Sequence, residues 1–300
     1  DEATRRAVLL TAGTLGLGGT VTAGALLRRG VGPSASSDPR TITLATGPSG
    51  AVFVEVGRDI AAAVSARHPR LTVQTRQTGA SVENLKLLIA AEVDLGFATL
   101  DVVADNPSTT LVSGNDGVRA LCRLYDSLLQ LVVLRDSPIT KLADCAGKRL
   151  GIGAVGSGTE FTVVRLLDAA NIPPARLVRL GQSDAMAALE RGEIDAAFSL
   201  TGFPTPAISE LAQRRAVRLV PLLDAVTLLD RIRPGVYAAT QLPAGTYPEV
   251  KATPTVYLPN LLLSRPGITD DVVRDVVDAV LSPASRVYWT SPDSRRIDVR

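Results

Sequence analysis

Two stretches of this chain share an arrangement of residues suited to holding an anion. In Thr41-Ile42-Thr43-Leu44-Ala45-Thr46-Gly47-Pro48-Ser49-Gly50 a short apolar strand runs into a small-residue turn that opens a helix. Lys148-Arg149-Leu150-Gly151-Ile152-Gly153-Ala154-Val155-Gly156-Ser157-Gly158-Thr159 repeats it. At such a turn the first backbone N–H groups of the helix have no intrahelical partner, and the helix dipole adds a positive field. Three further segments are weaker versions: Thr78-Gly79-Ala80-Ser81-Val82-Glu83-Asn84, Leu180-Gly181-Gln182-Ser183-Asp184, and the strand end Phe198-Ser199-Leu200-Thr201-Gly202-Phe203-Pro204. A tight strand–helix turn also forms without any ligand. What links these segments is that all fall at the carboxyl ends of expected strands, where open α/β sheets bind ligands.

The chemistry these turns exclude is as informative. Gly153–Thr159 lacks the lysine that a nucleotide-hydrolysing phosphate loop places before its Ser/Thr, and its glycines are wrongly spaced for a dinucleotide fingerprint. His68 is the single histidine and precedes Pro69, which argues against a serine triad or a histidine-based metal site. The four lysines, Lys86, Lys141, Lys148 and Lys251, show no catalytic setting. Asp94 and Asp195 each precede a strand, where helix–strand turn chemistry accounts for them. Asp101 directly follows the third strand and is placed to meet a ligand ammonium. No enzyme activity, cofactor or metal is expected.

The 300 residues are 46% hydrophobic and 21% charged, enough for a packed interior. Net charge is +2 and aromatics are 4%, without the basic stripe and stacking platforms that nucleic acid demands. Arg5-Arg6 followed by an apolar run to Leu27 reads as an export signal of the twin-arginine kind, or as an uncleaved membrane anchor. Residues 1–37 are assigned to that segment and its linker. Cys122 and Cys145 fit buried thiols and a disulfide equally well.

The elements that must position the turns alternate along the chain. Strands at 41–46, 71–76 and 94–99 enclose helices at 51–67 and 82–91, the second capped by Ser81. Two β-rich stretches at 118–125 and 128–135 follow. The alternation resumes with strands 149–153, 176–180, 194–200 and 217–221. Helices at 158–171, 183–191 (capped by Ser183) and 205–214 lie between them. A β-rich passage at 253–264 and helices at 269–282 and 284–290 close the chain. The organisation expected is α/β, with lobe I at 40–127 and 262–300, lobe II at 132–252, and a hinge at 126–136 and 250–262.

Several of these segments resemble the TAXI family. They are Gly79-Ala80-Ser81-Val82-Glu83-Asn84-Leu85, Ala91-Glu92-Val93-Asp94-Leu95-Gly96, and Gly147–Gly153 with Gly156-Ser157-Gly158-Thr159. Ala188-Leu189-Glu190-Arg191-Gly192-Glu193-Ile194-Asp195-Ala196-Ala197-Phe198 and Pro243-Ala244-Gly245-Thr246-Tyr247 fit as well. TAXI proteins are the extracytoplasmic solute-binding proteins of tripartite ATP-independent periplasmic (TRAP) transporters, and the likeness runs over roughly residues 41–285. It implies a two-lobed periplasmic-binding-protein fold of type II, each lobe a mainly parallel sheet flanked by helices, with two crossing strands between them. It also implies capture of a small carboxylate or a glutamate-like amino acid. One departure stands out: the family often has a glycine pair and tyrosines after the first strand, where this chain has Pro48-Ser49-Gly50-Ala51-Val52-Phe53-Val54. The aromatic shelf reduces to Phe53, with Tyr125 available as a second wall.

The resulting expectation is an exported receptor that works as a monomer with a TRAP permease, touching the membrane only through an uncleaved N-terminal segment. Its candidate ligand-binding residues are Gly47, Ser49, Gly50, Phe53, Ser81, Thr99, Asp101 and Tyr125 from lobe I. Gly156, Ser157, Gly158, Thr159, Gln182, Thr201 and Gly202 face them from lobe II. Two rivals of similar topology are a transferase or dehydratase, which needs a general base or cofactor lysine, and the effector-sensing part of a regulator, which needs a DNA-binding helix pair.

Overall fold

The computed structural model describes residues 39–107 and 117–282. In chain order these form β1 (Arg40–Ala45), α1 (Val52–Arg67), β2 (Leu71–Arg76), α2 (Ser81–Ile89), β3 (Leu95–Thr99) and α3 (Leu100–Ala104). Then come β4 (Arg119–Leu134), a 3-10 turn (Leu142–Cys145), β5 (Arg149–Gly151), α4 (Gly158–Ala169), β6 (Arg176–Val178) and α5 (Gln182–Glu190). The rest is β7 (Ala196–Thr201), α6 (Pro206–Arg214), β8 (Val217–Val220), α7 (Ala225–Ile232), β9 (Ala238–Leu242), β10 (Thr253–Ser264) and α8 (Asp270–Leu281). The export segment and the helix expected at 284–290 lie outside the described residues.

All ten strands hydrogen-bond into one sheet, with the main path β2-β1-β3-β10-β4-β7-β5-β6. The order is nearly symmetric. Parallel triplets β2-β1-β3 and β6-β5-β7 stand at the two ends, and the antiparallel pair β10 and β4 lies between them. Parallel triplets follow from βαβ crossovers, whose helices must bury an apolar face. In α1 that face is Val52, Val56, Ile60 and Val64, at helical spacing. The two β-rich stretches expected at 118–125 and 128–135 are one continuous strand, β4. Helices α3 and α7 and strand β9 were not expected.

The hydrophobic interior divides along β4 and β10. Leu124, Tyr125 and Leu262 pack with α1, α8 and the β1 triplet. Leu129, Leu131, Val133, Val256 and Leu258 pack with α4, α7 and the β5 triplet. The β4–β10 ladder shifts register between Pro259 and Leu261, where the two interiors change over. There Asn260 is fully buried, and its side-chain amide donates to the Tyr125 carbonyl (2.9 Å) and the Ser127 hydroxyl (2.8 Å). Cys122 and Cys145 are both free thiols, packed in different interiors, and burial pushes each up to about 12.

Candidate functional site

Four helices begin around one small cavity at the line between the two halves. Its lining includes Ala51 and Phe53 at the start of α1, Ala80 and Ser81 at α2, Ser157, Gly158 and Thr159 at α4, and Gln182 at α5. Thr99, Leu200 and Thr201 close it from the ends of β3 and β7. Thus Phe53, Ser81, Thr99, Ser157, Gly158, Thr159, Gln182 and Thr201 come together as a group. Pro48, Ala51, Ala80, Gly153, Ala154 and Leu200 join them without having been singled out. They adjoin the expected turns in sequence, so proximity was the signal that could have found them.

The cavity measures about 20 Å³, room for about one water molecule. A solute of several heavy atoms enters only if the halves part. Close approach of the backbones explains the tightness. A Cβ on Gly158 would lie 2.8 Å from both Ser81 Oγ and Thr99 Oγ1, and one on Gly79 would lie 2.2 Å from the Val155 carbonyl. Ala80 adopts φ 91° and ψ −141°, a backbone region that normally belongs to glycine. The Thr78 hydroxyl accepts its N–H (3.1 Å) and its carbonyl accepts the Asn84 N–H (2.8 Å).

The hydrogen bonds in the lining run in one direction. Ser81 Oγ accepts the Thr99 N–H (3.2 Å), Ser157 Oγ accepts the Glu160 N–H (3.0 Å) and Thr159 Oγ1 accepts the Leu200 N–H (3.1 Å). Gln182 Oε1 accepts the Ser199 hydroxyl (2.9 Å). Ser157 is the N-cap of α4. Ser81 and Ser183 are not caps: α2 and α5 start one residue earlier than expected, behind Ala80 and Gly181, neither of which offers a side-chain cap.

The other candidates sit elsewhere. Ser49 is exposed, and Gly47 packs behind Phe53. Gly50 meets the start of α5, where an added Cβ would lie 2.4 Å from Ser183 Oγ, and Gly202 lies against the Tyr125 ring. Tyr125 is buried beside Phe53 with ring centroids 6.2 Å apart. Burial pushes that phenol well above its ordinary range. Gly156 joins the halves through its backbone. Its N–H donates to Glu160 Oε2 (2.8 Å), and its carbonyl accepts from the Val82 and Glu83 amides (2.9 and 3.1 Å). Two amides of the first turn of α2 are therefore already partnered.

Asp101 also joins the halves and does not line the cavity. Its Oδ2 accepts the Thr162 hydroxyl of α4 (2.5 Å) and the Tyr237 hydroxyl (2.9 Å), and its Oδ1 accepts the Val102 N–H (2.8 Å). Burial drives its carboxyl above the usual aspartate range, against the pull of those hydrogen bonds. One helical turn on, Asp105 pairs with Arg165 of α4 and with Arg233 Nε (3.2 Å), and Arg233 also donates to the Ala104 carbonyl.

Asp94 and Asp195 are structural, as the turn reading held. Asp94 Oδ2 accepts the Thr43 N–H (2.9 Å) and Asp195 Oδ2 accepts the Arg149 N–H (2.7 Å), tying each third strand to the first of its triplet. Asn84, fully buried, donates to the carbonyls of Thr46 (2.7 Å) and Phe97 (2.9 Å) and accepts the Thr78 hydroxyl (2.5 Å). His68 ends α1 and meets Asp278 through Nε2 (3.1 Å). Wider grooves of about 460 and 530 Å³ both reach Arg135, at the outer end of β4. Neither contains a residue of the helix-start cluster, so size does not make them the better candidates. Among the described residues no cluster of three His, Cys, Asp or Glu could hold a metal ion, and no helix is long and apolar enough to cross a membrane.

The sequence profile of the NMT1-like family matches residues 44–296. This chain belongs to the NMT1-like family. Solved structures share its fold at low identity. An ancestral arginine-binding protein bound to arginine is 15% identical, with a TM-score of 0.55 over 84% of this chain and 99% of the other. An L-cystine ABC transporter protein from Listeria monocytogenes, described as putative, is 13% identical, with a TM-score of 0.51 over 86% and 98%. The effector-binding domain of a BenM variant is 13% identical, with a TM-score of 0.50 over 84% and 97%. The NMT1-like chain thus has the α/β fold of type II periplasmic-binding proteins, with a mixed sheet and flanking helices.

Proposed function

We propose that this protein is an extracytoplasmic solute receptor that captures a small carboxylate or amino acid between its halves and passes it to a TRAP permease. The observation that carries the reading is the convergence of helix starts and hydroxyls from both halves on one cavity. A solute touching both halves favours the closed form by its differential affinity. Bending would be taken up by β4 and β10, within 126–136 and 250–262. Small-molecule capture is supported by the family match and by the amino-acid-binding proteins that share the fold. The TRAP permease as recipient is supported by the TAXI-like motifs, and an extracytoplasmic location by the Arg5-Arg6 segment and apolar run.

Thermal-shift measurements on the full chain with short-chain acids and amino acids test this reading. At least one solute should raise the midpoint saturably without being converted. Gly158→Val should abolish that rise, because its Cβ would collide with Ser81 and Thr99. A rise that survives the substitution removes the cavity from the reading, and turnover of the solute would replace the receptor with an enzyme.

A further inference from the structure

The cavity is rich in hydrogen-bond donors and is lined by no carboxylate among the described residues. The oxygens of Ser81, Ser157 and Thr159 already accept backbone N–H groups. A hydroxyl that accepts such a bond keeps its own proton free to donate. Gln182 is more than nine-tenths buried and lines the cavity. Its Oε1 is bound to Ser199, and its Nε2 has no partner among the described residues. The N–H groups of Gly158 and Thr159, first in α4, have no intrahelical acceptor either.

Nothing in the lining balances a positive charge. Among the described residues, no Asp or Glu lines the cavity. Of the five carboxylates within two residues of the lining, Glu55 and Asp184 do not line the cavity and the other three are already engaged. Asp101 is held by Thr162, Tyr237 and Val102, Glu83 by the Gly79 N–H (2.6 Å), and Glu160 by Gly156 and Arg179. A buried ammonium requires acceptors or a counter-charge, and its desolvation is costly without them.

We propose that this cleft selects a carboxylate that carries no ammonium, an acceptor-only anion, and rejects the α-amino acid of the same skeleton. The proposal rests on the receptor reading above and narrows its solute class. Gln182 is assigned as a specificity-determining donor: its amide meets a carboxylate oxygen, and that position in an amino-acid receptor would need an acceptor.

Calorimetric titration of the full chain with matched pairs tests it: propionate against alanine, succinate against aspartate, glutarate against glutamate. At least one ammonium-free acid should bind at least about tenfold more tightly than its amino-acid counterpart. Gln182→Glu should weaken that acid by about tenfold or more, and Gln182→Met should weaken it without any charge change; unliganded melting curves report whether each variant folds. Equal or tighter binding of the amino acids overturns the proposal and leaves the receptor reading standing. Absence of binding by every acid and every amino acid overturns both. Unchanged acid affinity in a folded Gln182 variant overturns the assignment of that side chain.

Discussion

Asp101 shows how a single residue can look like a ligand contact in sequence and act as a clasp in three dimensions. It follows β3 directly, the position from which a carboxylate meets a bound solute. Instead it turns to the hydroxyls of Thr162 and Tyr237. Burial disfavours its charged form, so its carboxyl titrates above the unfolded value. The sign of the pH effect follows: its stabilising contribution is complete in acid, below the ordinary aspartate value of about 4, and is lost as pH rises through the higher folded value. Thermal unfolding followed from that acid limit to neutrality should show this loss, and Asp101→Asn should flatten it. Parallel pH curves for the two proteins would remove Asp101 as the cause. Gln182 is the opposite case, since a residue of modest appearance in sequence lines the cavity, with its Oε1 held by Ser199.

Much of the element pattern was legible. The strands and helices of both triplets follow from apolar periodicity and from small-residue turns, and most of their ends fall within a few residues of those read. The cap of α4 is Ser157, which the sequence reading names as a ligand contact and not as a cap. Ser81 and Ser183 misled because Ala80 and Gly181 start their helices without a side-chain cap, and nothing local announces that. Helix α3 is only five residues long and α7 lies in a stretch read as connection, so neither gave a distinct signal. The closeness of Gly79 to Val155 was invisible for another reason, being a contact between distant parts of the chain. Asn84 was legible as part of a helix start, yet its bonds to the ends of β1 and β3 were not. Replacing it with alanine strips donors from two buried carbonyls and should cost about 2–3 kcal/mol in urea unfolding. A loss below about 0.5 kcal/mol, ordinary for an exposed site, would show that those carbonyls have other partners.

For the whole molecule, contacts between the halves would set the balance between closed and open forms of the proposed receptor. Gly156 partners the start of α2, Asp101 binds α4 and Tyr237, and Asp105 binds Arg165 and Arg233. The Asp105 pairs are only partly buried, so each contributes about 0.2–1 kcal/mol. Replacing both Arg165 and Arg233 with methionine should therefore raise the open fraction and weaken solute binding by roughly three- to tenfold. The unliganded radius of gyration from X-ray scattering should grow in the same variant. If affinity and radius both stay as in the unaltered protein, the arginines contribute nothing to closure.

The β4–β10 ladder slips by one residue at Pro259–Leu261 and again at Leu262–Leu263. Such slips bend and overtwist a ribbon locally, so in the proposed receptor a swing would be taken up between Pro259 and Leu263. Loops remote from that point can lengthen or shorten without re-aiming the jaws. Adding or deleting one residue within the ribbon would instead flip which side chains face each interior.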